Sequence, residues 1–278
     1  MSRAETQEPP ALVAEPGVDV PREPRKPWKS QDWLWSAILC IVLLAGWDIL
    51  VRVRGIPPLV LPGPGAVWNS LIANLRSGAL FVHLGVTLSE IVAGFVLGSL
   101  FGTGLGILIA LAPRLRRILS PYLIASQTMP KLALAPIFVM WFGFGLLPKV
   151  LITALIAFFP LFENTVTGLN EIDADTLELF HALRATRWQT LWLLRLPHAV
   201  PYLMAGLRVA LVLSIVGAVV AEYVGANRGL GALIISSQGV MDTPLMFAVF
   251  AVLILLGVGL YQIFGVIEKR CLARRYRD

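Results

Sequence analysis

The chain has 278 residues, 57% hydrophobic and only 14% charged, with a formal net charge of +6. That balance excludes a water-soluble globule of ordinary make-up, because lipid is the solvent that tolerates so much apolar surface. The basic residues flank apolar runs instead of covering a polar domain, so they read as topology signals and no nucleic-acid partner is expected.

In chain order, residues 1–30 are proline-rich, mixed in charge and poor in aromatics, the composition of a disordered cytoplasmic tail. No secretory cleavage pattern precedes the first apolar run, so that run is expected to stay attached. Residues 31–268 are expected to form an all-α polytopic membrane domain. A span needs roughly 20 apolar residues to cross about 30 Å of hydrocarbon. Six runs of this kind are predicted, over 33–52, 84–112, 117–142, 147–168, 200–222 and 245–267. Between the first two, Val67, Leu71 and Leu75 recur at helical spacing beside Trp68, which predicts a short interfacial helix.

The second run places Gly94, Gly98, Gly102 and Gly106 at intervals of four, a face that lets a neighbouring backbone approach closely. The third contains Pro130 and Pro136, each lacking a backbone donor, and is expected to kink or to split into two short helices. These prolines either shape packing or line a solute path. Cys40 in the first run and Cys271 in the basic stretch 269–278 sit in unlike surroundings, so no disulfide is expected. The three histidines form no ligand cluster with them, and no metal is expected.

With the N-terminus inside, the cytoplasmic side collects Arg114, Arg116, Arg117, Arg184, Arg187, Arg195 and the terminal basic cluster. Arg52, Arg54, Arg76, Lys149 and Arg228 fall outside. Both termini are therefore expected in the cytoplasm.

Charges at membrane depth are costly and usually face a protein interior or a wet cavity. Asp48, Glu90, Lys131 and Arg208 are of this kind. Lys131 lies about 14 residues past Arg117, roughly 20 Å of ideal helix, which brings it near mid-membrane. Lys131, Pro130, Pro136 and Arg208 are the candidate pathway residues; the alternatives are a snorkelling or paired lysine and a structural arginine. Glu222 and the following Gly-rich stretch mark the outer end of the fifth run, where a loop open to a partner on that side is expected.

The segment between the fourth and fifth runs, about 170–198, is too long for a simple connection. Asp175 with Glu178, and Thr186 with Gln189, have the spacing of capping boxes, so two short helices meeting near Ala185 are predicted. Leu177, Phe180 and Leu183 give the first an apolar side that can face a partner or lie along the lipid boundary. Glu178, Ala185, Leu194, Leu196 and Pro197 stand at the spacing of the E-A-A loop, and the segment resembles that loop in type I importer permeases of the ATP-binding cassette superfamily. The stretches SQTMPKLALAPIFVMWFGFG, ALIAFFPLFENTVTGL and VVAEYVGANRGLGALI are similar to its nitrate, sulfonate, taurine and bicarbonate branch, over about residues 60–268.

The resemblance implies a cytoplasmic ATP-binding subunit seated on the loop, with Glu178, His181, Arg184, Ala185, Arg187, Trp188 and Pro197 as coupling residues. It also implies a homodimer, a periplasmic or lipid-anchored solute-binding protein, and a bacterial inner-membrane location. ATP would be bound by the partner, since the chain has no G-x-x-x-x-G-K-[ST] phosphate loop and is not expected to be an enzyme itself. The implied cargo is a small anion such as a sulfonate, taurine or nitrate, with a thiamine-precursor pyrimidine or riboflavin as the alternative. A stand-alone secondary transporter is the competing class. Leu179 and Phe180 replace family alanines, and Arg184 replaces a family glycine at a helix end where left-handed geometry is cheap only for glycine.

Overall fold

A computed structural model of the chain describes residues 30–275, and among them every regular element is helical. The expected tail over residues 1–29 lies outside the described residues. Helix α1 (Ser30–Arg54) carries the first apolar run. As far as Gly46 it is a compact unit of its own, with Trp35, Leu39, Ile41 and Leu43 outward.

From Trp47 the chain forms a second unit. Helix α2 (Pro64–Arg76) is the short amphipathic piece: Leu71 and Leu75 pack on Leu80, Leu230, Ile234 and Val249, while Trp68 points away. Helices α3 (Ala79–Leu111) and α6 (Leu146–Asn170) run parallel, and α9 (Leu196–Tyr223) runs back against both. Small residues make this three-helix core possible. A Cβ at Gly98 would meet the Ala154 carbonyl oxygen at 2.5 Å, and one at Gly102 the Phe158 carbonyl oxygen at 2.7 Å. Gly94 and Gly106 are equally closed by Thr153 and Thr165, so the whole glycine stripe of α3 is filled by α6. Without a hydrophobic driving force between spans, such close approach is how van der Waals attraction holds them together. Gly206 and Gly217 of α9 meet Asn164 and Ile156 of α6 in the same way.

The third apolar run splits, one of the two outcomes expected of its prolines. Helix α4 (Pro113–Thr128) stops at Met129, whose extended backbone (ψ 130°) is the conformation a following proline imposes. A single 3-10 turn over Lys131–Leu134 leads into α5 (Ala135–Phe142). Pro136 falls in the first turn of α5, where its missing N–H has no helical partner to lose, so it starts a helix and kinks none. Among the described residues, five stretches and not six are long and apolar enough to cross a membrane: Leu34–Arg54, Ala79–Leu111, Leu146–Asn170, Arg187–Tyr223 and Thr243–Arg270.

Helix α7 (Ala174–Ala182) and the four-residue α8 (Arg187–Thr190) follow α6. Helix α8 continues through a wide turn over Leu191–Arg195 into α9, with the Leu196 N–H bonded to the Leu191 carbonyl five residues back. Pro197 explains that register: it cannot donate to Leu193, and its ring crowds that carbonyl, so the helix widens instead of breaking. A short apolar helix absent from the sequence expectation, α10 (Leu230–Gly239), lies between α9 and α11 (Thr243–Arg275). The basic stretch assigned to a tail from 269 is helical as far as Arg275.

Candidate functional site

One end of the core carries the α7–α8 hairpin. Its first helix is not capped by the expected box. Asp173 occupies the cap position, with the Leu177 N–H donating to its carbonyl at 3.1 Å, and Asp175 already lies inside the first turn. There its carboxylate acts on the helix dipole and not as a cap. The second box forms as expected: Gln189 N–H donates to Thr186 Oγ1 at 3.2 Å, and Thr186 N–H to Gln189 Oε1 at 2.7 Å.

Between them the chain makes a Schellman turn. Ala185 N–H donates to the Phe180 carbonyl at 3.0 Å and Arg184 N–H to that of His181 at 2.9 Å. Arg184 takes φ +53°, the left-handed geometry. The turn that glycine would favour is kept, with an arginine bearing the steric cost. Ala185, His181 and Arg187 line a cavity of about 360 Å³ with Ala110, Leu111, Thr190 and Arg195, and the Arg195 guanidinium reaches the Ala110 carbonyl at 3.5 Å. Buried Leu191 and Ala199 pack on Ala110 and Leu169, tying the hairpin to the ends of α3 and α6. Glu178, Leu179, Leu183, Arg184 and Trp188 are exposed on its free side, and Trp192 and Leu193 are exposed on the wide turn.

Midway along the core a cavity of about 580 Å³ opens beside the break between α4 and α5. Lys131 lines it and holds its ammonium 4.3 Å from the Phe159 ring centre, a cation–π contact. Glu163 and Asn164 share the lining with apolar Met129, Ile156 and Leu213. Pro130 is in the extended link just outside this lining, and Pro136 is exposed at the start of α5. Arg208 turns away toward α11, pairing with Glu268 and lying over Tyr261. The break thus gathers Lys131 alone of the four candidate pathway residues into the cavity.

The opposite end of the core holds a polar cluster. Lys149 Nζ of α6 donates to Glu90 Oε1 of α3 at 2.6 Å, and Glu90 is wholly buried. Glu222 of α9 is also buried; its Oε1 accepts from Thr87 Oγ1 at 2.6 Å and its Oε2 from the Gly231 N–H at 2.5 Å. Thr87 Oγ1 accepts from the Leu230 N–H at 2.7 Å, and His83 Nδ1 lies 2.8 Å from the Gly229 carbonyl oxygen. Gly229 takes φ +129°, and a side chain there would run into the Glu222 carboxylate, so only glycine fits. Sequence reading flagged Glu90, Lys149 and Glu222 separately; nothing in their spacing pairs them. Two carboxylates at membrane depth were the available signal.

A parallel pair of long spans, a third returning against them and a rigid hairpin at one end define the fold of a transport permease. The chain belongs to the family of binding-protein-dependent transport system inner membrane components, whose pattern matches residues 102–272. It is 39% identical over 243 residues to the riboflavin transport system permease protein RibX of Chloroflexus aurantiacus, covering 86% of this chain and 91% of that protein. The formylaminopyrimidine transport permease protein ThiX of Halalkalibacterium halodurans is 37% identical, over 83% of this chain and 91% of the relative. The taurine transport system permease protein TauC of Escherichia coli is 32% identical, over 82% and 85%. A structure of the MetNI methionine ABC transporter in an inward-facing conformation shares the fold, with TM-score 0.63, 20% identity, and coverage of 70% of this chain and 97% of that one.

Proposed function

We propose that this chain is the permease subunit of an ATP-binding cassette importer, working as one of two copies. A separate ATP-binding subunit grips the α7–α8 hairpin on the cytoplasmic side, and a solute-binding protein delivers cargo to the opposite end. The single observation that carries this reading is the hairpin: its turn is fixed by a Schellman motif and a capping box, its free side exposes Glu178, Leu183 and Trp188, and its second helix continues into α9. Motion imposed on the hairpin is therefore passed to the core. Arg184, Arg187 and Arg195 at the hairpin end support this orientation. ATP binding biases the switch because the partner binds it differently in the inward- and outward-open states.

For cargo, the lining of the Lys131 cavity supports a flat heteroaromatic solute. Its walls are mostly apolar, with the Phe159 ring beside Lys131 and the Asn164 amide among the few polar groups, a lining that suits a flat ring bearing a few polar atoms. The relatives that carry riboflavin and formylaminopyrimidine in their names agree with this choice. A sulfonate or taurine is the second reading, resting on Lys131.

Charge reversal at Glu178 (Glu178→Lys) is expected to reduce recovery of the ATP-binding subunit in pull-downs at least tenfold, while the purified chain alone hydrolyses no ATP. Unchanged association and transport in that variant would overturn the docking assignment. Transport in vesicles driven by an ion gradient without ATP would overturn the importer reading. Calorimetry of the partner binding protein with riboflavin, formylaminopyrimidine and taurine decides the cargo.

A further inference from the structure

The polar cluster at the end opposite the hairpin does not balance as drawn. Glu222 has a donor for each carboxylate oxygen, Thr87 Oγ1 for one and the Gly231 N–H for the other. Glu90 Oε1 has Lys149, but Glu90 Oε2 is buried with no donor among the described residues. Thr87, which holds Glu222 Oε1, stands three residues before Glu90 on the same face of α3, so the two buried carboxyl groups are gathered on one turn of that helix. The remaining groups facing them do not supply what is missing. Lys149 provides one positive charge, His83 is engaged with Gly229, the Arg228 side chain is exposed, and Tyr223 is partly exposed. Two ionised carboxylates and one ammonium would leave a net negative charge out of water, which proteins avoid by neutralising one group. Glu90 and Lys149 border a cavity of about 420 Å³ with Ser89, Phe144 and Asn227, but Glu90 itself is wholly buried and its Oε2 is not exposed to that space.

We propose that Glu90 and Glu222 hold a single proton between them, carried on Glu90 Oε2 and donated to Glu222, and that this proton site fastens the Gly229–Gly231 turn onto α3. One proton satisfies the orphan oxygen and cancels the surplus charge together. The turn is then held through Glu222 to Gly231, through Thr87 to Leu230 and through His83 to Gly229. Loss of the proton sets two anions side by side, and the weaker grip falls on the loop joining α9 to α10.

The test uses the intact complex in lipid vesicles and does not depend on the cargo. Infrared difference spectra are expected to contain a carboxylic-acid C=O band at neutral pH that shifts on transfer to D2O and shifts again on labelling with glutamate carrying 13C at its side-chain carboxyl carbon. Glu90→Gln is expected to lose the band, while exchange of the 229–231 amides stays within about twofold of wild type because the new amide N–H takes the proton's place. Absence of the band in wild type, or its persistence at full strength in Glu90→Gln, overturns the proton site. More than tenfold faster amide exchange in Glu90→Gln overturns the latch. Should that variant fail to fold, Glu222→Gln decides: the band is expected to move in frequency when its acceptor changes, and an unmoved band overturns the shared proton.

Discussion

Arg184 shows how a backbone requirement outlives the residue that meets it most cheaply. Its φ of +53° costs an L-residue about 1–2 kcal/mol, yet both Schellman hydrogen bonds are in place. Arg184→Gly is expected to stabilise the folded permease by up to about 1 kcal/mol, the relieved strain being partly offset by the freedom glycine has in the unfolded chain. A rise in thermal midpoint in detergent would register it, and a clear fall would mean that contacts of the arginine side chain outweigh the strain. The sequence exposed this position, because a charged residue stood where a helix end needs left-handed geometry. Lys131 was legible only as a charge at depth; its seat on Phe159 depends on α6, which no local spacing reveals.

At the scale of elements, the glycine stripe of α3 was readable as a close-packing face, but its partner was not, since several spans carry small residues. The structure gives α6 that place. Gly102→Val, whose Cβ would meet the Phe158 carbonyl, is expected to cost about 1–3 kcal/mol and to lower yield of assembled permease. Gly104→Val is the control. Nothing lies within 4 Å of a Cβ at Gly104, so its stability should change by less than about 0.5 kcal/mol. Equal loss in both variants would argue that helix propensity, and not the α3–α6 contact, sets the effect. The split of the third apolar run was readable from Pro130, which the backbone of Met129 obeys; hydropathy alone averages over it and counts a sixth span. Likewise α10 was hidden inside a stretch that read as an outer loop, because a half-length apolar helix leaves no span-length signal.

Across the whole molecule, the residues assigned by charge to opposite faces do separate. Arg195 meets the end of α3 at Ala110, while Lys149 and Arg228 meet at the beginning of α3 and the end of α9. The separation of these charges was therefore legible from their order along the chain, whereas the span count was not, being five among the described residues where six were expected. The cluster joining α3, α6 and α9 was the least legible, being made of residues far apart in sequence.

The wide turn over Leu191–Arg195 accommodates one more residue than an α-helix would. Elsewhere in a helix, removing a residue swings everything beyond it by about 100°, the angle per residue at 3.6 per turn. Here the surplus residue is already spent on girth. Deleting Leu193 together with Pro197→Ala, which removes the ring that forces the turn wide, should restore ordinary winding with the faces of α9 still aimed at α6, and transport should survive. Deleting Val212 should abolish it. That five-residue stretch is thus a place where the length of the chain can change while its aim does not.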